Sequence, residues 1–166
     1  MKTAVRWYSD GDGQALALLH AACLPHEKWT AADFRKFIGN PNRNNVIKVL
    51  TDDNGCLLGS ILYTVGLDSV WLRRVCVHPE LRRSGLGRRL VETLIGPKSL
   101  VKRALVTARA RERSLEAHLF MRKLGFRPGD PAILSNAYWD GESAYVFTYC
   151  KTVAVPQRRL VALAVK

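Results

Sequence analysis

Long apolar runs are missing from this sequence. No stretch approaches the roughly 20 residues that a membrane-spanning helix needs. The start, Met1-Lys2-Thr3-Ala4-Val5-Arg6-Trp7, has an early lysine but no apolar segment after it, so no secretory signal is expected. Cysteine is sparse: Cys23, Cys56, Cys76 and Cys150 are scattered and form no CxxC pair, which argues for buried thiols in a reducing cytosol rather than disulfides. A cytoplasmic location is expected. His20, His26, His78 and His118 show no HExxH spacing, and no metal is expected. Carboxylates are scarce as well, 14 Asp and Glu against 26 Lys and Arg, a net charge of +12.

What is present suits one folded unit. The 166 residues are 48% hydrophobic, enough for a core, which argues against a disordered chain. The positive charge is uneven: Leu81–Arg127 holds 13 Lys/Arg and 3 Asp/Glu. Such a run is either a solvated basic face or the footprint of a polyanionic partner, whether phosphorylated cofactor, nucleic acid or acidic protein.

Along the chain, Thr3–Tyr8 reads as a first strand. Asp10 or Asp12 can cap a helix whose apolar face is Leu16, Leu18, Leu19 and Ala22, ended by Pro25. Thr30-Ala-Ala-Asp33 resembles a capping box and opens a second helix through Ile38. Asn45–Thr51 and Cys56–Val65 form a hairpin about Asp52-Asp53-Asn54-Gly55, and Gly66-Leu67-Asp68 leads into the strand Ser69–Val77. Leu86–Ile95 has helical periodicity and stops at Gly96-Pro97. Ala104–Ala110 is a strand, Ser114 caps a helix to Leu124 with Gly125 as terminator, and Ala132–Leu134 and Tyr145–Thr152 are final strands around an Asp140-Gly141 turn. The order βααβββαβαββ is an α/β sheet with helices on both faces.

The strongest chemical signal is Arg82-Arg83-Ser84-Gly85-Leu86-Gly87-Arg88-Arg89, which follows a strand and opens a helix. Glycines two apart let backbone approach a ligand, and the free amides and dipole of a helix start favour an anion. The bland alternative is a surface turn with solvated arginines. The order of strand, glycines and helix favours a pyrophosphate cradle. No Gly-Lys-Ser/Thr follows, which excludes a P-loop. The third glycine of a dinucleotide fingerprint is missing, and the preceding strand comes after an antiparallel hairpin, unlike a first Rossmann unit.

Val77-His78-Pro79-Glu80-Leu81-Arg82-Arg83-Ser84-Gly85-Leu86-Gly87 resembles the Val-x-Pro…Gln/Arg-x-x-Gly-x-Gly/Ala segment of the GNAT acetyltransferase superfamily. Ser114-x-x-Ala117-x-x-Phe120-Met121-x-Lys123-Leu124-Gly125-Phe126 is similar to that family's Asn-x-x-Ala-x-x-Phe/Leu-Tyr-x-Lys-x-Gly-Phe. The element order agrees over nearly the whole chain. His26-Glu-Lys-Trp29 before the second helix gives a flavour of the ribosomal-protein N-terminal acetyltransferases.

The resemblance implies a single GNAT-like acyltransferase domain over residues 1–166, with a mixed, mostly antiparallel sheet, that binds acetyl-CoA (coenzyme A). It implies that backbone groups of Val75 and Val77 meet the pantetheine arm and that Arg82, Arg83, Ser84, Gly85, Leu86, Gly87 and Arg88 hold the pyrophosphate. Ser114 stands where the family has Asn and would cap the helix and bond the arm. Met121 stands where the family has Tyr and cannot protonate a thiolate. Tyr138, Tyr145 and Tyr149 are then candidates for the acid, and His118, Asp68, His78 and Glu80 for the base, with a water relay leaving no mark. Of these, His118, Asp68 and Tyr138 are the leading catalytic expectations. The implied reaction is direct attack of a primary amine (protein N-terminus, lysine or small amine) on the thioester. The competing readings are an acyltransferase acting on RNA, tRNA or a modified nucleobase, kept open by the +12 charge, and a non-catalytic acyl-CoA or nucleic-acid binding module. The basic tail Lys151…Arg158-Arg159…Lys166 does not obviously serve the cofactor. No membrane partner is expected, and a monomer and a homodimer are both compatible with the sequence.

Overall fold

A computed structural model describes residues 2–97 and 99–151. The basic positions Arg158, Arg159 and Lys166, and Thr152 at the expected end of the last strand, lie outside the described residues.

The elements in chain order are β1 (Thr3–Trp7), α1 (Gly13–Cys23), α2 (Ala31–Ile38), β2 (Asn44–Asp52), β3 (Leu57–Val65), β4 (Ser69–Val77), α3 (Leu86–Ile95), β5 (Leu105–Arg111), α4 (Leu115–Lys123), β6 (Arg127–Leu134) and β7 (Ala144–Cys150). The strands form one sheet in the order β1-β2-β3-β4-β5-β7-β6. Every neighbouring pair is antiparallel except β4–β5. The sheet is therefore mixed and mostly antiparallel, with helices on both faces.

Local chemistry accounts for the punctuation. At the β2–β3 turn Asp52 Oδ1 accepts from the amides of Asn54 and Cys56 at 3.0 and 2.8 Å, and Gly55 takes the positive φ of 81° that closes it. Thr30 and Asp33 form the reciprocal capping box of α2. At α1 neither Asp10 nor Asp12 caps through its side chain. Asp12 instead takes two hydrogen bonds from the Arg6 guanidinium, at 2.8 and 2.7 Å, and one from the Ser9 amide. The inward face of α1 also differs from expectation. It carries Leu16, Leu19 and His20, while Leu18 is 65% exposed.

Two apolar layers sandwich the sheet. Leu16, Leu19 and Phe34 of α1 and α2 pack on Ile47, Val49, Leu62 and Cys76. On the other face Leu90, Val91 and Leu94 of α3 and Met121 of α4 pack on Ile61, Tyr63, Val70, Leu72 and Val106. β6 starts earlier than its composition suggests, because Pro128 and Pro131 are tolerated on an edge strand whose ladder to β7 is interrupted between Pro128 and Ile133.

Candidate acetyl-transfer site

β4 and β5 separate part-way along. Their parallel pairing runs from Ser69↔Leu105 to Leu72↔Ala108 and stops. β4 goes on to Val77, bonded only to β3, and one extra residue interrupts that ladder: Leu62 faces Arg74 and Tyr63 faces Leu72, leaving Arg73 as a bulge. Beyond it the amide of His78 donates to Leu58 at 2.9 Å. By strand alternation, the backbone groups of Val75 and Val77 therefore point into the fork that β5 has left. One of them is engaged. The Cys23 thiol at the end of α1 donates to the Val77 carbonyl at 3.2 Å. Cys76, 2% exposed beside it, has its thiol pushed up by Cys23 and by burial.

At the tip of β4 the chain turns through Pro79–Leu81 into α3. Arg83 and Gly85 both have positive φ, 65° and 86°. Gly85 stands at the helix N-cap, with no side-chain cap. The left-handed positions two apart bring successive amides round toward one point, a backbone anion nest at a helix start. Among the described residues no amide from Arg83 to Arg88 donates to another backbone group. A non-glycine residue in the left-handed region is the kind of strain that functional loops store.

The two glycines differ. A Cβ on Gly85 would meet nothing within 4 Å, so the need there is conformational. One on Gly87 would lie 3.3 Å from two ring carbons of Phe120 on α4, so Gly87 lets α3 and α4 approach. The side chains of Arg82, Arg83 and Arg88 line the opening. Ser84 turns its hydroxyl to the Leu81 carbonyl, and Leu86 packs into the core, leaving both to act through their backbone. Arg89 faces away and bonds Thr3. Glu116 of α4 lies 3.9 Å from Arg82 and 3.5 Å from Arg83.

The fork opens into a cleft of about 1310 Å³ that crosses the sheet. One side holds the cradle, Ala117, Phe120 and Met121. The other holds Glu27 and Trp29 of the α1–α2 loop, Lys36 of α2, Trp71, Arg73 and Arg74 of β4, Arg109 and Arg111 of β5, and Tyr138. Glu27 is ion-paired with Arg74, whose guanidinium lies 3.8 Å from the Trp29 ring centroid. Arg111 sits 4.0 Å over the ring of Tyr138 and is neutralised by Asp140 and Glu142, both at 2.8 Å. Burial pushes the Tyr138 phenol above its ordinary value of 10.0, against the Arg111 cation, so it remains protonated at neutral pH.

A model of the acetyltransferase (GNAT) domain matches residues 43–128, more than half of the chain. The chain belongs to the GNAT acetyltransferases. Solved structures agree at the level of fold. The chain is similar to the ribosomal-protein-S18-alanine N-acetyltransferase from Escherichia coli (24% identity, 94% of this chain and 98% of that one, TM-score 0.76) and to Ard1 from Thermoplasma volcanium (22%, 90% and 98%, TM-score 0.78). It is also similar to Arabidopsis thaliana NAA60 in complex with acetyl-CoA (15%, 90% and 99%, TM-score 0.74). No curated protein sequence matches it. GNAT enzymes use acetyl-CoA as co-substrate. The unbonded amides of Arg83–Arg88 and the flanking arginines fit its pyrophosphate, and the open edge of β4 fits its pantetheine arm.

The GNAT framework separates the residues expected from sequence. Ser114 begins α4 and lines the cleft, but its side chain makes no capping bond, contrary to expectation. Met121 lines the cleft and is 7% exposed. Tyr138 is also in the cleft. His118 is not among its lining residues. Its Nε2–H donates to the Arg111 carbonyl at 2.8 Å, and its ring packs on Tyr145 and Phe147 at 4.8 and 5.6 Å. Asp68 is exposed in the β3–β4 turn, at the opposite end of β4 from the fork. His78 and Glu80 lie beyond the tip of β4 outside the cleft lining, Tyr145 stacks on His118, and Tyr149 stacks on Phe126 at 5.4 Å. Glu27 was not foreseen. The only sequence signal was an acid beside Trp29, and its partner Arg74 is 47 residues away.

Proposed function

We propose that the protein transfers the acetyl group of acetyl-CoA to a primary amine by direct attack within the β4–β5 fork. The observation that carries this reading is the adjacency of two features. The amide nest at Arg83–Arg88 and the edge of β4 at Val75 and Val77, which β5 leaves without a strand partner and where the Cys23 thiol engages the Val77 carbonyl, form one continuous track, and the track leads to the fork. A thioester laid along it reaches the middle of the sheet, open to an amine from the α1–α2 side. Holding the two reactants in that geometry supplies most of the rate.

Tyr138 is the proposed acid. With Met121 at the family's tyrosine position, the Tyr138 phenol is a proton donor on the cleft wall, and its raised pKa keeps the proton available for the departing thiolate. Glu27 is the proposed receiver of the ammonium proton, directly or through water. Of the three cleft carboxylates, Asp33 caps α2 and Glu116 belongs to the cradle, leaving Glu27 on the acceptor side.

A thiol-release assay against peptides, polyamines and tRNA tests the acceptor class. Tyr138→Phe is expected to lower kcat on the best acceptor by about 100-fold while leaving acetyl-CoA affinity intact. An unchanged kcat would remove Tyr138 from the mechanism.

A further inference from the structure

Three arginines line the acceptor side of the cleft, and the charges of Arg43 and Arg109 both reach Arg73. Arg73 is the bulge residue of β4. Arg109 is the first β5 residue past the last β4–β5 pair. Arg43 lies immediately before β2. Ordinary alternation would put Arg73 and Arg74 on opposite faces, but the bulge turns both toward the α1–α2 side. There Arg74 meets Glu27, and Arg73 Nε donates to Thr64 Oγ1 at 3.1 Å. Thr64 in turn donates to Asn45 at 2.7 Å, so the Arg73 head is held in place. Arg73 and Arg109 lie 5.9 and 5.4 Å from the same Trp71 ring centroid. Burial, and then the like charges of Arg43 and Arg109, push the Arg73 pKa down.

The carboxylates that line the cleft are engaged elsewhere: Glu27 by Arg74, Asp33 by the amide and hydroxyl of Thr30, Glu116 by Arg82 and Arg83. Among the described residues Arg43, Arg73 and Arg109 form no ion pair. Arg111, on the same strand as Arg109, has two carboxylates to itself. Arg43, Arg73 and Arg109 are all exposed, so water screens much of their mutual repulsion, and an anion bound among them relieves the rest. The proposed cradle for the coenzyme phosphates lies across the sheet, which leaves these arginines to an anionic group of the substrate.

We infer that the acceptor carries a carboxylate close to its reacting amine, and that Arg73, Arg109 and Arg43 bind that carboxylate. This rests on the amine-transfer reading above and names its substrate class. The amine meets Glu27, the carboxylate meets the arginines, and the two poles set the acceptor's direction in the cleft. Two sources share this chemistry: a peptide with Asp or Glu directly after its N-terminal residue, and a free acidic amino acid. A polynucleotide fits less well. It needs a track of cations along its path, whereas these three converge at the base of the fork and share the recess with Glu27 and Asp33.

The test uses equal-length peptides Ala-Asp-Glu-, Ala-Ala-Ala- and Ala-Lys-Lys-, free aspartate and glutamate, and a short RNA. Turnover is read by thiol release, and acceptor binding is read separately in the presence of coenzyme A. The acidic peptide is expected to exceed the lysine peptide in kcat/KM by about tenfold or more. In Arg73→Gln/Arg109→Gln that preference should fall to parity, and in Arg73→Glu/Arg109→Glu it should reverse, with acetyl-CoA affinity retained as the sign of an intact fold. Free aspartate or glutamate outrunning the acidic peptide would assign the carboxylate to a small molecule and support the same site. Equal rates on acidic and lysine peptides would overturn the inference and leave amine transfer standing. So would RNA binding that disappears in the glutamine variant without any peptide preference. If no acceptor turns over but acidic-peptide binding is present and lost in that variant, the transfer reading fails and the acidic site survives. No turnover and no charge-dependent binding would overturn both.

Discussion

Replacing Gly85 with glutamate changes two things, and a glutamine control separates them. The backbone there has φ 86° and ψ −6°, a conformation that costs a side-chain-bearing residue about 1–2 kcal/mol, and open space surrounds the missing Cβ. Glutamine and glutamate share that cost, and only glutamate adds charge. With the carboxylate about 6 Å from a pyrophosphate carrying two negative charges, at an effective dielectric constant of about 40, the repulsion is about 2–3 kcal/mol. That corresponds to about a 30- to 150-fold weaker Kd for Gly85→Glu than for Gly85→Gln. Calorimetric titration with acetyl-CoA measures the ratio. Raising ionic strength above about 0.1 M, where the Debye length is about 10 Å, should narrow it. Thermal melts show whether both variants fold. Equal affinities in two folded variants would refute the reasoning, because no pyrophosphate could then lie at the start of α3.

Gly87→Ala acts through packing instead. The new methyl 3.3 Å from Phe120 should cost about 1 kcal/mol in unfolding free energy and affect acetyl-CoA binding less than Gly85→Glu does; a larger affinity loss than Gly85→Glu would contradict the packing role. His20 is buried against Ser60 Oγ at 3.0 Å, and burial, aided by the Arg74 charge, pushes its pKa down to about 3. The unfolded chain takes up that proton below about pH 6.5 and the folded one does not, so stability is full above that pH and declines by up to about 1.4 kcal/mol per pH unit as pH falls toward 3. His20→Gln should flatten that slope in urea unfolding between neutral pH and about pH 4.5; a variant slope as steep as the wild type's would refute the assignment.

Sequence reading succeeded where local chemistry decides local structure. α3 runs from Leu86 to Ile95 as its periodicity and the Gly96-Pro97 stop require, and the capping box of Thr30 and Asp33 opens α2. It failed where partners are distant. Leu18 fits an apolar helical face, but the sheet meets α1 along Leu16, Leu19 and His20, and a single helix cannot state which edge of its stripe will be covered. His118 precedes Met121 by three residues and looks like its neighbour in the cleft. α4 is rotated so that Ala117, Phe120 and Met121 face the opening while His118 turns to the Arg111 carbonyl. β6 was shortened by its prolines, which mark an edge strand as readily as a loop. Glu27 lies in a loop with no period, and only the fold reveals Arg74 as its partner.

The bulge at Arg73 left no mark in the sequence, yet the site depends on it. The same residues without the bulge would keep strict alternation, sending Arg73 and Arg74 to opposite faces and Val75 and Val77 to the face that Cys76 now occupies. The register would then move Cys76 out of the layer it shares with Leu62 and Phe34, and push two valines in its place. The bulge restores the apolar pattern after two consecutive arginines, so Val75 and Val77 again pack toward α3 and Cys76 toward α1. The β4–β5 pairing ends at Leu72, directly before the bulge, and a bulge is the kind of irregularity that bends its strand. One inserted residue thus coincides with the opening of the fork, precedes the backbone edge that β5 leaves at Val75 and Val77, and sets Arg73 near the same Trp71 ring as Arg109. The position proposed to admit the thioester and the position proposed to read the acceptor's charge both lie at this single local event in the sheet.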